Sequence, residues 1–131
     1  TYVKLDITSK DDVNRLIDQQ KPQVVINTAA MTNVDLCEVK KHECYALNVA
    51  AVGFLADACD RIDAHLIQIS TDFIFDGEAG PYSEEDTPNP LSYYGLSKLK
   101  SEQILKAHCV KWTILRTIIV FGASCIRLYH I

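Results

Sequence analysis

Tyr94 and Lys98, in the run Tyr94-Gly95-Leu96-Ser97-Lys98, stand at i and i+4, so on a helix they present their polar tips to one side, a turn apart. A phenol with an ordinary pKa of ~10 is a poor acid–base catalyst at neutral pH. A nearby ammonium stabilises the phenolate, and lowering the phenol by ~3 units requires about 4 kcal/mol of differential interaction. Upstream, Ser70-Thr71-Asp72 offers hydroxyls able to hold a substrate oxygen against that phenol. The chemistry on offer is proton transfer to or from an oxygen. The same pair also occurs as a half-buried aromatic beside a solvated lysine, and the spacing alone leaves both open.

Other polar groups form no competing constellation. Asp72 and Asp76 are four apart, but Gly77 and the loop after it make Asp76 a turn residue, and a glycosidase-like carboxylate pair has no second motif to support it. His42, His65, His108 and His130 are scattered without metal spacing, and Glu84, Glu85 and Asp86 read as a solvated acidic loop. No metal site is expected. Cys37, Cys44, Cys59, Cys109 and Cys125 are an odd count with no C-x-x-C pair, which points to free thiols in a reducing cytosol.

The 131 residues are 48% hydrophobic and 23% charged with a net charge of -4, the profile of one ordinary globular domain. That balance gives no electrostatic footprint for nucleic acid. No apolar run approaches the ~20 residues a membrane span needs, and Thr1 to Lys10 do not read as a signal peptide. A cytoplasmic location is the expectation.

The elements that must position the chemistry follow from periodicity. Tyr2 to Leu5 reads as the end of a strand. Ser9 is an N-cap for an amphipathic helix running to about Gln20, with Asp11 and Asp12 in its first turn and Pro22 ending it. Val24-Val25-Ile26 reads as a strand buried on both faces. Residues 42–60 form an apolar helix, Leu66 to Ile69 a strand, 77–90 a long loop, Leu91 to Ala107 a second long helix, and Trp112 to Phe121 a last strand. This alternation predicts an α/β fold, a partial Rossmann-like, doubly wound parallel sheet with helices on both faces. Ligands bind outside the carboxyl ends of such strands, where Asn27-Thr28-Ala29-Ala30, Ser70-Thr71-Asp72 and the residues after Arg116 fall.

Three blocks, Ile69-Ser70-Thr71-Asp72-Phe73-Ile74-Phe75-Asp76-Gly77, Pro81-Tyr82-Ser83-Glu84-Glu85-Asp86 and Tyr94-Gly95-Leu96-Ser97-Lys98-Leu99, together resemble the extended short-chain dehydrogenase/reductase superfamily. Within it the chain is most similar to the dTDP-4-dehydrorhamnose reductase family. The likeness extends through Asn27 to Asp35, Leu47-Asn48-Val49 and Leu115 to Gly122. It implies nicotinamide-dependent reduction of a 4-keto sugar nucleotide with NADP or NAD, NADPH slightly preferred. On that resemblance Tyr94 is the proton donor, Lys98 lowers its pKa and holds the nicotinamide ribose, and Thr71 orients the substrate carbonyl. Asn27, Ala29 and Ala30 would line the cofactor, and Asp6 and Ile7 its adenine. Asn48 would be either part of that site or a buried amide capping a helical kink. Asp35, Ser70, Asp72 and Phe73 would face the sugar nucleotide. A homodimer is a further expectation.

The chain also departs from the family. No G-x-x-G-x-x-G turn occurs, and Arg116-Thr117-Ile118-Ile119 lacks the tryptophan of the family's R-T-x-W. Residues 1–122 therefore read as a partial NAD(P)-binding Rossmann domain and 123–131 as a tail without matching motif. Two other roles stay open: a non-catalytic NADP-binding subunit similar to the methionine adenosyltransferase regulatory subunit, and a nucleotide-sugar epimerase using the same tyrosine and lysine.

Overall fold

The computed structural model describes residues 2–118. Ser9 caps the first helix as expected, its side chain accepting from the Asp12 N–H, and α1 runs Lys10–Gln20. Lys21 then turns left-handed at φ 44° and its N–H returns to the Ile17 carbonyl at 2.8 Å. The residue before a proline disfavours helix, so the stop falls where Pro22 demands it. Strand β1 is Val24–Asn27, β2 is His65–Thr71 and β3 is Trp112–Thr117. They pair in the order β1-β2-β3, both pairs parallel, with Ile26 opposite Ile67 and Ile67 opposite Thr113. The α/β fold with its parallel sheet is as the sequence predicts.

Between β1 and β2 the chain forms α2 (Val34–Val39) and then a single rod. The rod is α3 (Lys41–Tyr45), a π turn (Ala46–Ala50) and α4 (Ala51–Arg61). The expected helix over 42–60 is thus present but interrupted, and α2 is additional. After β2 comes a 3-10 turn at Asp72–Ile74, the long loop, and α5 over Tyr93–His108.

The core lies on one side of the sheet. Val13 and Ile17 of α1, Val52, Leu55, Ala56 and Cys59 of α4, Leu105 of α5 and Leu66 of β2 form one cluster. Leu66 and Leu105 are wholly buried, each contributing ~1.5–3 kcal/mol. Because strand side chains alternate faces, Val24 and Ile26 point away from this cluster and are 51% and 60% exposed. The expectation that this strand is buried on both faces is therefore corrected. Its Val25 and Asn27 point inward, and among the described residues α1, α4 and α5 all pack on the inner face.

The expected strand at Tyr2 to Leu5 also does not form. In a doubly wound sheet the strand before the central crossover lies away from the strand after it, so β1 offers these residues no ladder. The end of the last predicted strand (119–121), Gly122, Cys125, His130 and the 123–131 tail lie outside the described residues. No helix among the described residues is long and apolar enough to cross a membrane.

Candidate active site

The site is assembled where the 3-10 turn after β2 meets the first turn of α5. Ser92 caps α5, accepting from the Gly95 N–H at 3.1 Å. Gly95 faces the backbone of the 3-10 turn so closely that a Cβ built on it would lie 2.2 Å from the Phe73 carbonyl oxygen. Only a residue without a side chain lets α5 seat there. The seating puts Tyr94 beside the turn, with the Phe73 ring edge-on to it at 5.9 Å.

Thr71 ends β2 and caps the turn. Its hydroxyl accepts from the Phe73 N–H at 3.2 Å and donates to Asp72 at 3.2 Å. Burial pushes the Tyr94 phenol above its ordinary value, and the neighbouring Thr71 hydroxyl draws it back down. Thr71 and Tyr94 therefore share one place, as their sequence blocks imply. Lys98 lies a turn further along α5, 3% exposed, its ammonium donating to the Ile69 carbonyl at 2.5 Å. Burial lowers its pKa to about 8, opposed by the Glu102 carboxylate. At neutral pH Lys98 is an ammonium and Tyr94 a neutral phenol; burial dominates at Tyr94 and Lys98 is not among the groups that shift it, so the lowering by Lys98 that the resemblance implies is corrected.

The other predicted residues divide. Asn27 donates to Gln68 at 2.8 Å and accepts from the Ala29 N–H at 3.2 Å, so it shapes the turn leading to Ala29 and Ala30. Asn48, 1% exposed, stands in the π turn. It accepts from the Met31 N–H at 2.8 Å and donates to the Met31 carbonyl and the Ser97 hydroxyl, both at 3.0 Å. Its amide is committed to protein, joining the segment after β1 to α5 two residues from Tyr94's neighbour Gly95. Ser70 turns toward the core, where its hydroxyl donates to Glu102 at 2.6 Å, rather than toward the open end of the strand. Asp72 and Phe73 line an open groove of about 360 Å³ with Phe75, Tyr82 and Leu91. Asp76 pins that groove's loop by accepting from Tyr82 and Asn89, which hold its carboxyl down at about 2. Asp6 accepts from Thr8 at 2.9 Å and Ile7 packs against the core. Among the described residues, Asp6, Ile7 and Asp35 make no hydrogen bond to Thr71, Tyr94 or Lys98.

Glu102 is the residue that the sequence shows only as a helix former. It is 1% exposed and takes Arg116 in two bonds, at 3.1 and 2.8 Å. Its i+4 relation to Lys98 was the available signal.

Residues 1–127 match the model of the RmlD substrate binding domain family. The chain belongs to that family. The RmlD match runs past the last recognised motif at Gly122 into the tail. The chain is 43% identical over 122 residues to the dTDP-4-dehydrorhamnose reductase of Aggregatibacter actinomycetemcomitans, covering 92% of the chain and 42% of the relative. It is 38% identical over 121 residues to methionine adenosyltransferase 2 subunit beta of Danio rerio, covering 92% and 37%. The Bacillus anthracis dTDP-4-dehydrorhamnose reductase, solved in complex with NADP, superposes with a TM-score of 0.88 at 34% identity, over 92% of this chain and 43% of that one. The chain thus spans less than half the length of these RmlD relatives, and the part it spans holds Thr71, Tyr94 and Lys98.

Proposed function

We propose that the full-length protein is an NAD(P)H-dependent reductase of a 4-keto sugar nucleotide, with Thr71, Tyr94 and Lys98 as its catalytic residues. One observation carries this: Thr71 and Tyr94 both abut Phe73 of the 3-10 turn, with the buried Lys98 ammonium a helical turn behind Tyr94. Thr71 holds the ketone oxygen, and the Tyr94 phenol, kept protonated by burial, gives that oxygen its proton. A bound nicotinamide supplies the hydride to the carbonyl carbon. Lys98 steadies the phenolate left behind.

The residues fit the ribose end of such a cofactor. An ammonium has three N–H donors, and Lys98 spends one on Ile69, leaving two for ribose hydroxyls. Ala29 and Ala30 give a ligand close access to the backbone, with Asn27 and Asn48 holding that turn in place. Asp6 and Ile7 are assigned to the adenine end. Asp35, Asp72 and Phe73 are assigned to the sugar nucleotide, the last two through the groove they line. NADPH is the favoured donor, a choice supported by the Bacillus anthracis relative's NADP. A homodimer is proposed on the family resemblance alone. A cytoplasmic location accords with the free Cys37, Cys44, Cys59 and Cys109.

The decisive experiment is Tyr94→Phe in the full-length protein. Ketone reduction should fall by ~10²–10⁴-fold while cofactor binding stays nearly unchanged; undiminished turnover would refute the assignment. The likeness to the methionine adenosyltransferase subunit supports a second reading, a non-catalytic binding partner. It predicts NADP binding without oxidation of NADPH by keto-sugar nucleotides.

A further inference from the structure

Glu102 is a carboxylate almost wholly withdrawn from water at the heart of the site, and it needs a reason to be there. An unpaired buried charge costs several kcal/mol. Here two strands supply its bonds, Ser70 of β2 at 2.6 Å and Arg116 of β3 at 3.1 and 2.8 Å, while the buried Lys98 stands one turn back on its own helix α5. Arg116 continues outward to the Glu84 carbonyl at 3.3 Å and lies over the Phe75 ring at 5.5 Å. The carboxylate, one helical turn beyond Lys98, is thus held by a guanidinium that reaches on to the loop at Glu84.

We infer that Glu102 is a positioning residue, the buried counter-charge that keeps Lys98 an ammonium behind the Tyr94 phenol, with Arg116 and Ser70 holding the carboxylate in place. The inference rests on the proposed reductase chemistry for its consequence, but not for its physical content. Without Glu102 no other buried carboxylate stands near Lys98 among the described residues. The titratable and charged groups around it are Tyr94 on α5, Cys37 on α2, Cys44 on α3, Asp72 on the 3-10 turn and Arg116 on β3. Burial holds the Cys37 thiol up at about 12, and Asp72 is exposed beside Thr71. Burial works against the Lys98 charge and Glu102 works for it. An uncharged Lys98 would leave the Tyr94 phenolate unsupported after proton transfer.

The test reads Lys98 directly. In the full-length protein with labelled lysine, an NMR titration, with Lys98→Arg to assign the signal, should place Lys98 near its value of about 8. Glu102→Gln should lower it by about one unit, the low end of the ~1–3 units an adjacent opposite charge supplies, because Arg116 already offsets part of the field. Glu102→Asp should restore most of that shift. If Glu102→Gln fails to fold, Arg116→Gln tests the same field with opposite sign and should raise the Lys98 value. An unchanged Lys98 in every folded variant overturns the inference and reduces Glu102 to packing. The alkaline limb of the ketone-reduction pH profile should move with the NMR value. A shift in Lys98 with no turnover in any variant, wild type included, refutes the reductase reading and leaves the inference standing.

Discussion

Two glycines on adjacent helices respond to the same substitution in opposite directions. Gly→Ala in a helix ordinarily stabilises by ~1 kcal/mol through propensity. At Gly53 in α4 the new methyl would meet only the Ile104 Cγ2, at 3.5 Å, an ordinary contact, so the propensity gain survives. At Gly95 the methyl would lie 2.2 Å from the Phe73 carbonyl oxygen and 3.1 Å from both the Phe73 carbonyl carbon and the Pro90 Cβ. The first contact is about 1 Å inside any tolerable separation. Its partner is backbone, fixed by the Thr71 cap and by the Phe75 N–H to Asp72 carbonyl bond, so it cannot rotate away. Overpacking of this kind costs ~1–3 kcal/mol or more, which exceeds the propensity gain. Relief requires α5 to lift off the turn by about that 1 Å, carrying Tyr94 from Thr71, and a misplacement of this size costs on the order of 10²-fold in rate. In the full-length protein, Gly53→Ala should raise the melting temperature by roughly 2–4 °C with turnover unchanged. Gly95→Ala should lower the melting temperature and cut kcat for ketone reduction about 100-fold. A Gly95→Ala protein that melts and turns over like wild type would refute the claim that α5 is seated through this glycine.

Asn48→Leu should destabilise by roughly 2–4 kcal/mol in denaturant unfolding, since it orphans the buried Met31 N–H and carbonyl; a loss under about 0.5 kcal/mol, typical of surface sites, would show that the π turn is not held by this amide. Lys98→Met should stabilise the fold while abolishing turnover. Its folded pKa of about 8 lies below the ordinary 10.5, so burying the ammonium costs on the order of 3 kcal/mol at neutral pH. That cost is full below pH ~8 and relieved as pH rises toward ~10.5, because between those values the unfolded chain binds more protons. Thermal melts from neutral to alkaline pH should therefore show wild type gaining on the variant, and parallel curves would contradict the sign.

What was legible in the sequence is what local chemistry encodes. Ser9 before Asp11 and Asp12 announced its helix, and Tyr94 and Lys98 at helical spacing announced their shared face. What was not legible depends on which face of the sheet is covered and on contacts across the chain. Val24 and Ile26 have the β-branched character of a doubly buried strand, yet coverage is decided by where α1, α4 and α5 pack. The six residues of α2 are too few to show a period. Glu102 has partners 32 residues before it and 14 after it; its i+4 spacing from Lys98 marks a shared face but not its burial.

The same distinction explains how the site can be built from so few elements. Most of the bonds described at Tyr94 and Lys98 come from the stretch between β2 and the end of β3. Gly95 seats on the 3-10 turn, Lys98 is anchored to the Ile69 carbonyl, and Glu102 is closed off by Arg116. Two ties reach further: Glu38 of α2 accepts from the Tyr93 N–H at 2.6 Å, and Asn48 bonds Ser97 on one side and Met31 on the other, so the turn after β1 is set against α5 through the π turn. A regular α-helix over 46–50 would advance Asn48 along a different register and rotate it off Met31. The irregular turn is thus the point at which the ligand-facing end of β1 is registered to the catalytic helix. It explains why an otherwise apolar, strongly helical segment departs from regular geometry at its one buried amide.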